Sequence, residues 1–116
     1  VITTNSTAYN ISSDYRLKEN VTPITDALSR VNQLKPSRFN FISESDRTVD
    51  GFLAHEVKNI IPEAISGEKD AVNEDGTPDY QGIDQSKIVP LLTAAIQEQQ
   101  TLINTLTARI DTLENN

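Results

Sequence analysis

Residues 89–113, VPLLTAAIQEQQTLINTLTARIDTL, decide the architecture of this 116-residue chain. Apolar residues recur there at the seven-residue spacing of a coiled coil, in which two positions of each heptad face a neighbouring helix. One position holds Val89, Ile96, Ile103 and Ile110, and the other holds Leu92, Gln99, Leu106 and Leu113. Because a single helix cannot cover such a stripe, the segment predicts a long helix that associates with other copies of the chain.

The number of associating helices is left open by this pattern. β-branched residues at the first heptad position with Leu at the second favour two strands. Leu102 lies beside the stripe and widens it, and Gln99 is a polar residue of the kind that sets the register. The alternative to association is a helix that packs against its own globular domain.

The preceding residues, 13–88, show the short apolar patterns of a small mixed domain. The first predicted element is a helix opened by Thr22-Pro23 and ended by Lys35-Pro36. Strands at 37–43 and 51–54 and a helix at 55–61 are predicted to follow it. A turn at 73–76 is predicted to join strands at 71–72 and 80–83. The first helix is expected to bury one face, made of Ile24, Ala27, Leu28, Val31 and Leu34. Asp84 is expected to cap the final helix, with a separate or kinked first turn around Pro90. The fold class predicted is α+β, with a long C-terminal helix over 89–116.

Composition excludes several classes of function. The formal net charge of −7 argues against binding to nucleic acid or to an anionic membrane surface, both of which need basic residues. The chain has no Cys and one His, so thiol chemistry and a multi-His metal site are excluded within one chain, and no metal or cofactor is expected. Residues 1–12 are β-branched and uncharged, which is typical of extended chain. Since the chain begins at Val1 and contains no Met, we expect it to be a piece of a longer polypeptide.

Three segments carry a resemblance to a known family. They are SDYRLKEN at 13–20, GFLAHEV at 51–57 and GIDQSKIVPLLTAAIQE at 82–98. In this order and spacing they resemble the C-terminal intramolecular chaperone domain, also described as the S74 peptidase family, of bacteriophage tailspikes, tail fibres and neck appendages. The resemblance covers about residues 13–113, and the opening segment is its most specific part.

The resemblance implies a trimeric coiled coil at residues 89–116 and a role in virion assembly. A homotrimer would hold three chains together while an upstream triple β-helix of the same polypeptide folds in the host cytoplasm. The domain at 13–88 would then cut itself off, as a single-turnover serine endopeptidase, at the bond between Ser12 and Ser13. Carried onto this sequence, Ser13 is the nucleophile and Lys18 is the base. Residues 1–12 would be the end of the upstream fibre.

The proposed pair poses a geometric question. A lysine acts as a base only when it is neutral, a form that desolvation in a trimer or a nearby cation such as Arg16 favours. An offset of five directs two side chains apart on a strand and on a helix alike, so the segment must bend or the pair must form between chains. Asp14, Arg16 and His55 are possible accessories. Without a long upstream β-helix we expect a poorly aligned site, with Ser13 Oγ beyond reach of Lys18 Nζ or with Lys18 held by a carboxylate.

Three other functions are compatible with the residues. The first is a related domain that trimerises and assists folding but stays attached. The second is the resembling domain of membrane-tethered eukaryotic transcription factors, in which cleavage releases a DNA-binding segment. The third is a coiled-coil module without a chaperone role. The acidic run from Glu63 to Asp79 is interpreted as a solvated loop, or as a protrusion that embraces the upstream fibre.

Overall fold

The computed structural model describes residues 2–4 and 9–116. Near the N-terminus, strands β1 (Ile2–Thr4) and β2 (Tyr9–Ile11) pair antiparallel. This agrees with the extended chain predicted for residues 1–12, of which 1 and 5–8 lie outside the described part. The remainder is a small mixed α+β domain with a long C-terminal helix, so the coarse fold class is confirmed. The division of the chain at residues 12 and 88 stays a prediction.

Two short helices and the base of the long helix enclose an aliphatic core. The helices are α1 (Ala27–Val31), α2 (Ala54–Lys58) and α3 (Val89–Glu114). The buried side chains are Ala27, Val57, Ile61, Ala64, Ile88, Leu91 and Ala95. Leu28, Val31 and Leu34 of the predicted apolar face pack against this core. A core of this size binds α3 to the domain at its N-terminal end and leaves the rest of the helix uncovered.

Helix α1 begins later than the sequence predicts. The prediction of a helix opened by Thr22-Pro23 is wrong, because Asp26 adopts a left-handed conformation with φ of 58° and interrupts the helical path. Helical structure starts at Ala27, the first residue of the segment that reaches the core. Ile24, expected on the apolar face, remains 43 % exposed.

The first hairpin of the domain is displaced from its predicted position. Strand β3 (Ser37–Asn40) pairs antiparallel with β4 (Thr48–Gly51), whereas the sequence predicted a strand at 51–54. The Phe39 ring lies over Gly51, where a Cβ atom would approach it to 3.2 Å. This close approach favours glycine at the end of β4. Helix α2 then follows at Ala54, close to the helix predicted at 55–61.

The acidic loop forms a tight turn with little strand structure. The predicted turn at 73–76 is confirmed, with Gly76 at φ of 86°. The strand pairing predicted on either side of it is reduced to one bridge between Val72 and Pro78, because proline has no N–H to extend a ladder. Strand β6 (Gly82–Ile83) pairs instead with β5 (Ile65–Ser66).

Asp84 caps a separate turn ahead of the long helix, which matches the predicted separate first turn, and the long helix itself has no side-chain cap among the described residues. The carboxylate of Asp84 accepts a hydrogen bond from Ser86 N at 3.1 Å and caps a separate 3₁₀ turn over Gln85–Lys87. Helix α3 follows with 26 residues, a length of about 39 Å. Its heptad positions are exposed in the single chain, from Leu92 at 41 % to Leu113 at 73 %. Within the described ranges, no helix combines the length and apolarity needed to cross a membrane.

Candidate active site

The predicted dyad lies on an exposed segment, residues 12–26, which we call the arm. Every side chain of the arm is solvent-exposed, and the chain enters the core only at Ala27. A 3₁₀ turn over Tyr15–Leu17 gives the arm its local shape. Asp14 caps this turn, since its carboxylate accepts a hydrogen bond from Arg16 N at 2.9 Å.

This turn brings Ser13 and Lys18 together within one chain. Ser13 precedes the turn and Lys18 ends it, so the chain reverses between them. Lys18 Nζ donates a hydrogen bond to Ser13 Oγ at 2.5 Å. The bend that the offset of five requires is therefore present, and a pair between chains is not needed.

The expectation of a misaligned pair is wrong. The two side chains are in hydrogen-bond contact. Among the described residues, no carboxylate forms an ion pair with Lys18. The physical reason is that a local turn aligns the pair, so that no upstream scaffold is required for this contact.

Asp14 and Arg16 form a clasp across the turn. Arg16 Nε donates to Asp14 Oδ1 and Arg16 Nη2 donates to Asp14 Oδ2, both at 3.0 Å. The side-chain hydrogen bonds from Arg16 hold the pKa of Asp14 below its ordinary value, and Asp14 raises the pKa of Arg16. The charge of Arg16 is thus compensated by its partner in the clasp. This contact gives Arg16 a role in holding the turn, and an effect of its charge on Lys18 stays a prediction.

His55 is not brought to the dyad by any hydrogen bond. It lies exposed on α2 and lines a shallow groove with residues of the acidic loop, among them Lys69, Asp70 and Tyr80. An accessory role of His55 in cleavage stays a prediction without a contact to support it. In the described part of the chain, no group of three or more His, Asp or Glu side chains is arranged to hold a metal ion.

Sequence reasoning missed the role of Glu98. Its Oε2 accepts a hydrogen bond from Leu28 N at 2.7 Å, across 70 residues of chain. The sequence feature that could have predicted this contact is the position of Glu98, seven residues after Leu91 and three after Ala95. All three lie on the face of α3 that packs against α1. A charged side chain on a packed face costs free energy unless it forms a hydrogen bond, so a polar partner on the facing helix is expected.

The fold and the site define a class of protein: a small domain with a Ser–Lys pair on an exposed arm and a long helix with an uncovered apolar stripe. The model of the Peptidase_S74 family, described as the chaperone of endosialidase, matches residues 13–66. Over these residues the chain is similar to that family, and the resemblance predicted from the sequence is confirmed there. The match begins at Ser13 and includes the arm from that residue onward, α1, the β3–β4 hairpin and α2. The segment at 82–98, which also carried the resemblance, follows the matched region.

Proposed function

We propose that the chain is a C-terminal intramolecular chaperone that trimerises through α3 and assists the folding of an upstream triple β-helical phage fibre or tailspike. It then releases itself by cutting the bond between Ser12 and Ser13. The hydrogen bond between Lys18 Nζ and Ser13 Oγ, at the residue where the family match begins, carries this proposal. The match to this family supports the chaperone role.

The chemistry follows from the positions of the two side chains. Neutral Lys18 takes the proton of the Ser13 hydroxyl, and Oγ attacks the carbonyl carbon of Ser12. The C–N bond breaks and the nitrogen of Ser13 receives a proton, which leaves the Ser12 acyl group as an ester on Oγ. Water then hydrolyses the ester to a Ser12 carboxylate and a free Ser13 hydroxyl. One turnover separates the upstream chain from the chaperone.

Trimerisation would supply what the single chain lacks. Lys18 is exposed to water, and a lysine acts as a base only in its neutral form. The arm also exposes Tyr15 by 82 % and Leu17 by 66 %, on either side of Arg16. Covering these side chains with a neighbouring copy would remove water from Lys18 and favour its neutral form. Cleavage would then depend on assembly of the trimer. This order is what a chaperone needs if it is to be released only after the upstream chain has folded.

The stripe on α3 supports self-association as the means of assembly. Ile96 is 65 % exposed, Ile103 53 % and Ile110 54 %, although all three are large aliphatic residues. Covering them against equivalent residues of other copies removes this surface from water. The partners proposed are therefore two further copies of the chain and the upstream part of the same polypeptide. The net charge of −7 disfavours nucleic acid and anionic membranes as partners.

The second candidate is a trimerising folding domain that stays attached, and the exposure of the dyad favours it. Mass spectrometry of the full-length polypeptide separates the two functions. Self-cleavage predicts two products that meet at Ser12–Ser13, and Ser13→Ala, which removes one hydroxyl, should remain whole and trimeric. A wild-type protein that folds, trimerises and stays intact would favour the attached domain.

A further inference from the structure

The first turn of α1 is capped from a distant helix. Asp26, in the N-cap position, adopts a left-handed conformation, and its side chain makes no capping hydrogen bond. Glu98 of α3 provides the missing acceptor, because its Oε2 receives the N–H of Leu28 at 2.7 Å. A carboxylate that accepts a backbone N–H forms one of the stronger hydrogen bonds in proteins. Glu98 thereby ties α3 to the start of α1.

The start of α1 is also where the arm joins the domain. Residues 12–26 are exposed, whereas Ala27 is fully buried. The first backbone hydrogen bond of α1 runs from Arg30 N to Asp26 O. The direction in which the arm leaves the core is therefore set by the turn that Glu98 caps.

Glu98 is adjacent to the predicted association stripe without belonging to it. Successive residues of a helix point about 100° apart, so Glu98 faces α1 while Gln99 occupies a heptad position. Helix α3 thus presents one face to other copies of the chain and the neighbouring face to the root of the arm.

We propose that Glu98 is a positioning residue for self-cleavage, which acts by holding the root of the arm in a fixed orientation to α3. This inference rests on the proposed function, because it assigns a residue to that reaction. When α3 associates, the cap carries the arms of the three chains into a defined arrangement in which each dyad is covered. Loss of the cap lets the first turn of α1 open and the arm change direction, while the core and the heptad stripe remain.

The test uses the full-length polypeptide with three substitutions. Glu98→Ala removes the acceptor, and Glu98→Gln keeps an oxygen that accepts from Leu28 N–H. The control is Glu114→Ala on the same helix, since Glu114 is exposed and makes no side-chain hydrogen bond within the described residues. We expect Glu98→Ala to slow cleavage by about tenfold or more, since a misplacement of about 1 Å costs up to roughly a hundredfold in rate. Glu98→Gln should restore the rate to within about threefold of wild type, and Glu114→Ala should leave it unchanged.

Two further measurements separate positioning from general damage to the fold. Sedimentation of each variant in a Ser13→Ala background should give the same trimer. Hydrogen exchange in that background should show the Leu28 amide exchanging about tenfold faster in Glu98→Ala than in Glu98→Gln. These two readouts do not depend on cleavage.

Several results would overturn the inference. Wild-type cleavage rates in Glu98→Ala would show that the cap does not position the dyad, while the proposed function would stand. Equal losses in Glu98→Gln and Glu98→Ala, or loss of the trimer in parallel with cleavage, would also exclude positioning by the cap. If wild type itself is not cut at Ser12–Ser13, the proposed function fails and the positioning role fails with it.

Discussion

Two neighbouring residues of α3 offer a matched test of association. Ile103 occupies a heptad position and Leu102 lies beside it, yet both residues are 53 % exposed in the single chain. If α3 had no partner, Ile103→Ala and Leu102→Ala would have equally small effects. If the stripe is an interface, Ile103→Ala should weaken assembly far more.

The size of the difference follows from the exposed fraction. Replacing Ile by Ala removes three carbon atoms, worth about 2.4 kcal/mol when fully buried at about 0.8 kcal/mol each. Since residue Ile103 is 53 % exposed before assembly, covering it contributes about 1.3 kcal/mol per chain and about 4 kcal/mol per trimer. Ile103→Ala should therefore lower the trimer association constant about a thousandfold, and Leu102→Ala about tenfold or less.

Sedimentation equilibrium over a range of protein concentrations measures both constants. Wild type is expected to give the mass of three chains, with dissociation of Ile103→Ala at concentrations where Leu102→Ala remains assembled. Circular dichroism at the same concentrations reports whether the helix persists. Equally small effects of the two substitutions, or a wild-type monomer, would refute association through the stripe. A wild-type dimer would retain the stripe and refute the trimer.

Lys18→Arg should block cleavage in the full-length polypeptide and leave the trimer intact, because arginine keeps its charge and cannot serve as a base; substantial cutting, measured by gel and mass, would remove Lys18 from the mechanism. Hydrogen bonds from the hydroxyl and the amide of Ser86 lower the pKa of Asp84 below its ordinary value of 3.8. The stabilisation from this cap is therefore complete above pH 3.8 and is lost as the pH falls through the lower folded-state pKa of Asp84. Asp84→Ala should therefore reduce the decline in melting temperature between pH 5 and pH 2. An unchanged decline would contradict the stabilising role of the Asp84 cap. Ile61→Ala should lower the free energy of unfolding by about 2–5 kcal/mol in urea denaturation, because Ile61 is 1 % exposed. Ile42 is 98 % exposed, so Ile42→Ala should change that free energy by less than about 0.5 kcal/mol. Similar losses for both variants would place the core elsewhere.

Features that depend on neighbouring residues could be predicted from the sequence. The helix over 89–114 follows from its uninterrupted periodicity, and the turn at 73–76 follows from Asn and Gly in a polar stretch. The capping by Asp84 of the 3₁₀ turn ahead of α3 depends on a hydrogen bond two residues away. In each case the interactions that stabilise the element lie within a few residues of it, so the local sequence pattern is enough to predict them.

The contact between Ser13 and Lys18 could not be predicted from strand or helix periodicity. The family motif predicts Ser13 and Lys18 as partners, but no strand or helix periodicity brings an offset of five together. The contact arises from a 3₁₀ turn closed by the clasp between Asp14 and Arg16. That clasp is itself local, and the spacing of Asp14 and Arg16 is the signal from which the turn could have been predicted.

The sequence by itself determined the long helix and its apolar stripe, and its resemblance to the family predicted the residues of the site. The tertiary structure decided where α1 begins, which short strands pair, and what holds the arm to the domain. Strands of two to four residues have too few contacts to select their own partners, so β5 pairs with β6 according to how the surrounding chain packs. The cap on Leu28 comes from Glu98, 70 residues away, and a hydrogen bond between distant residues exists only after the core has brought α1 and α3 together.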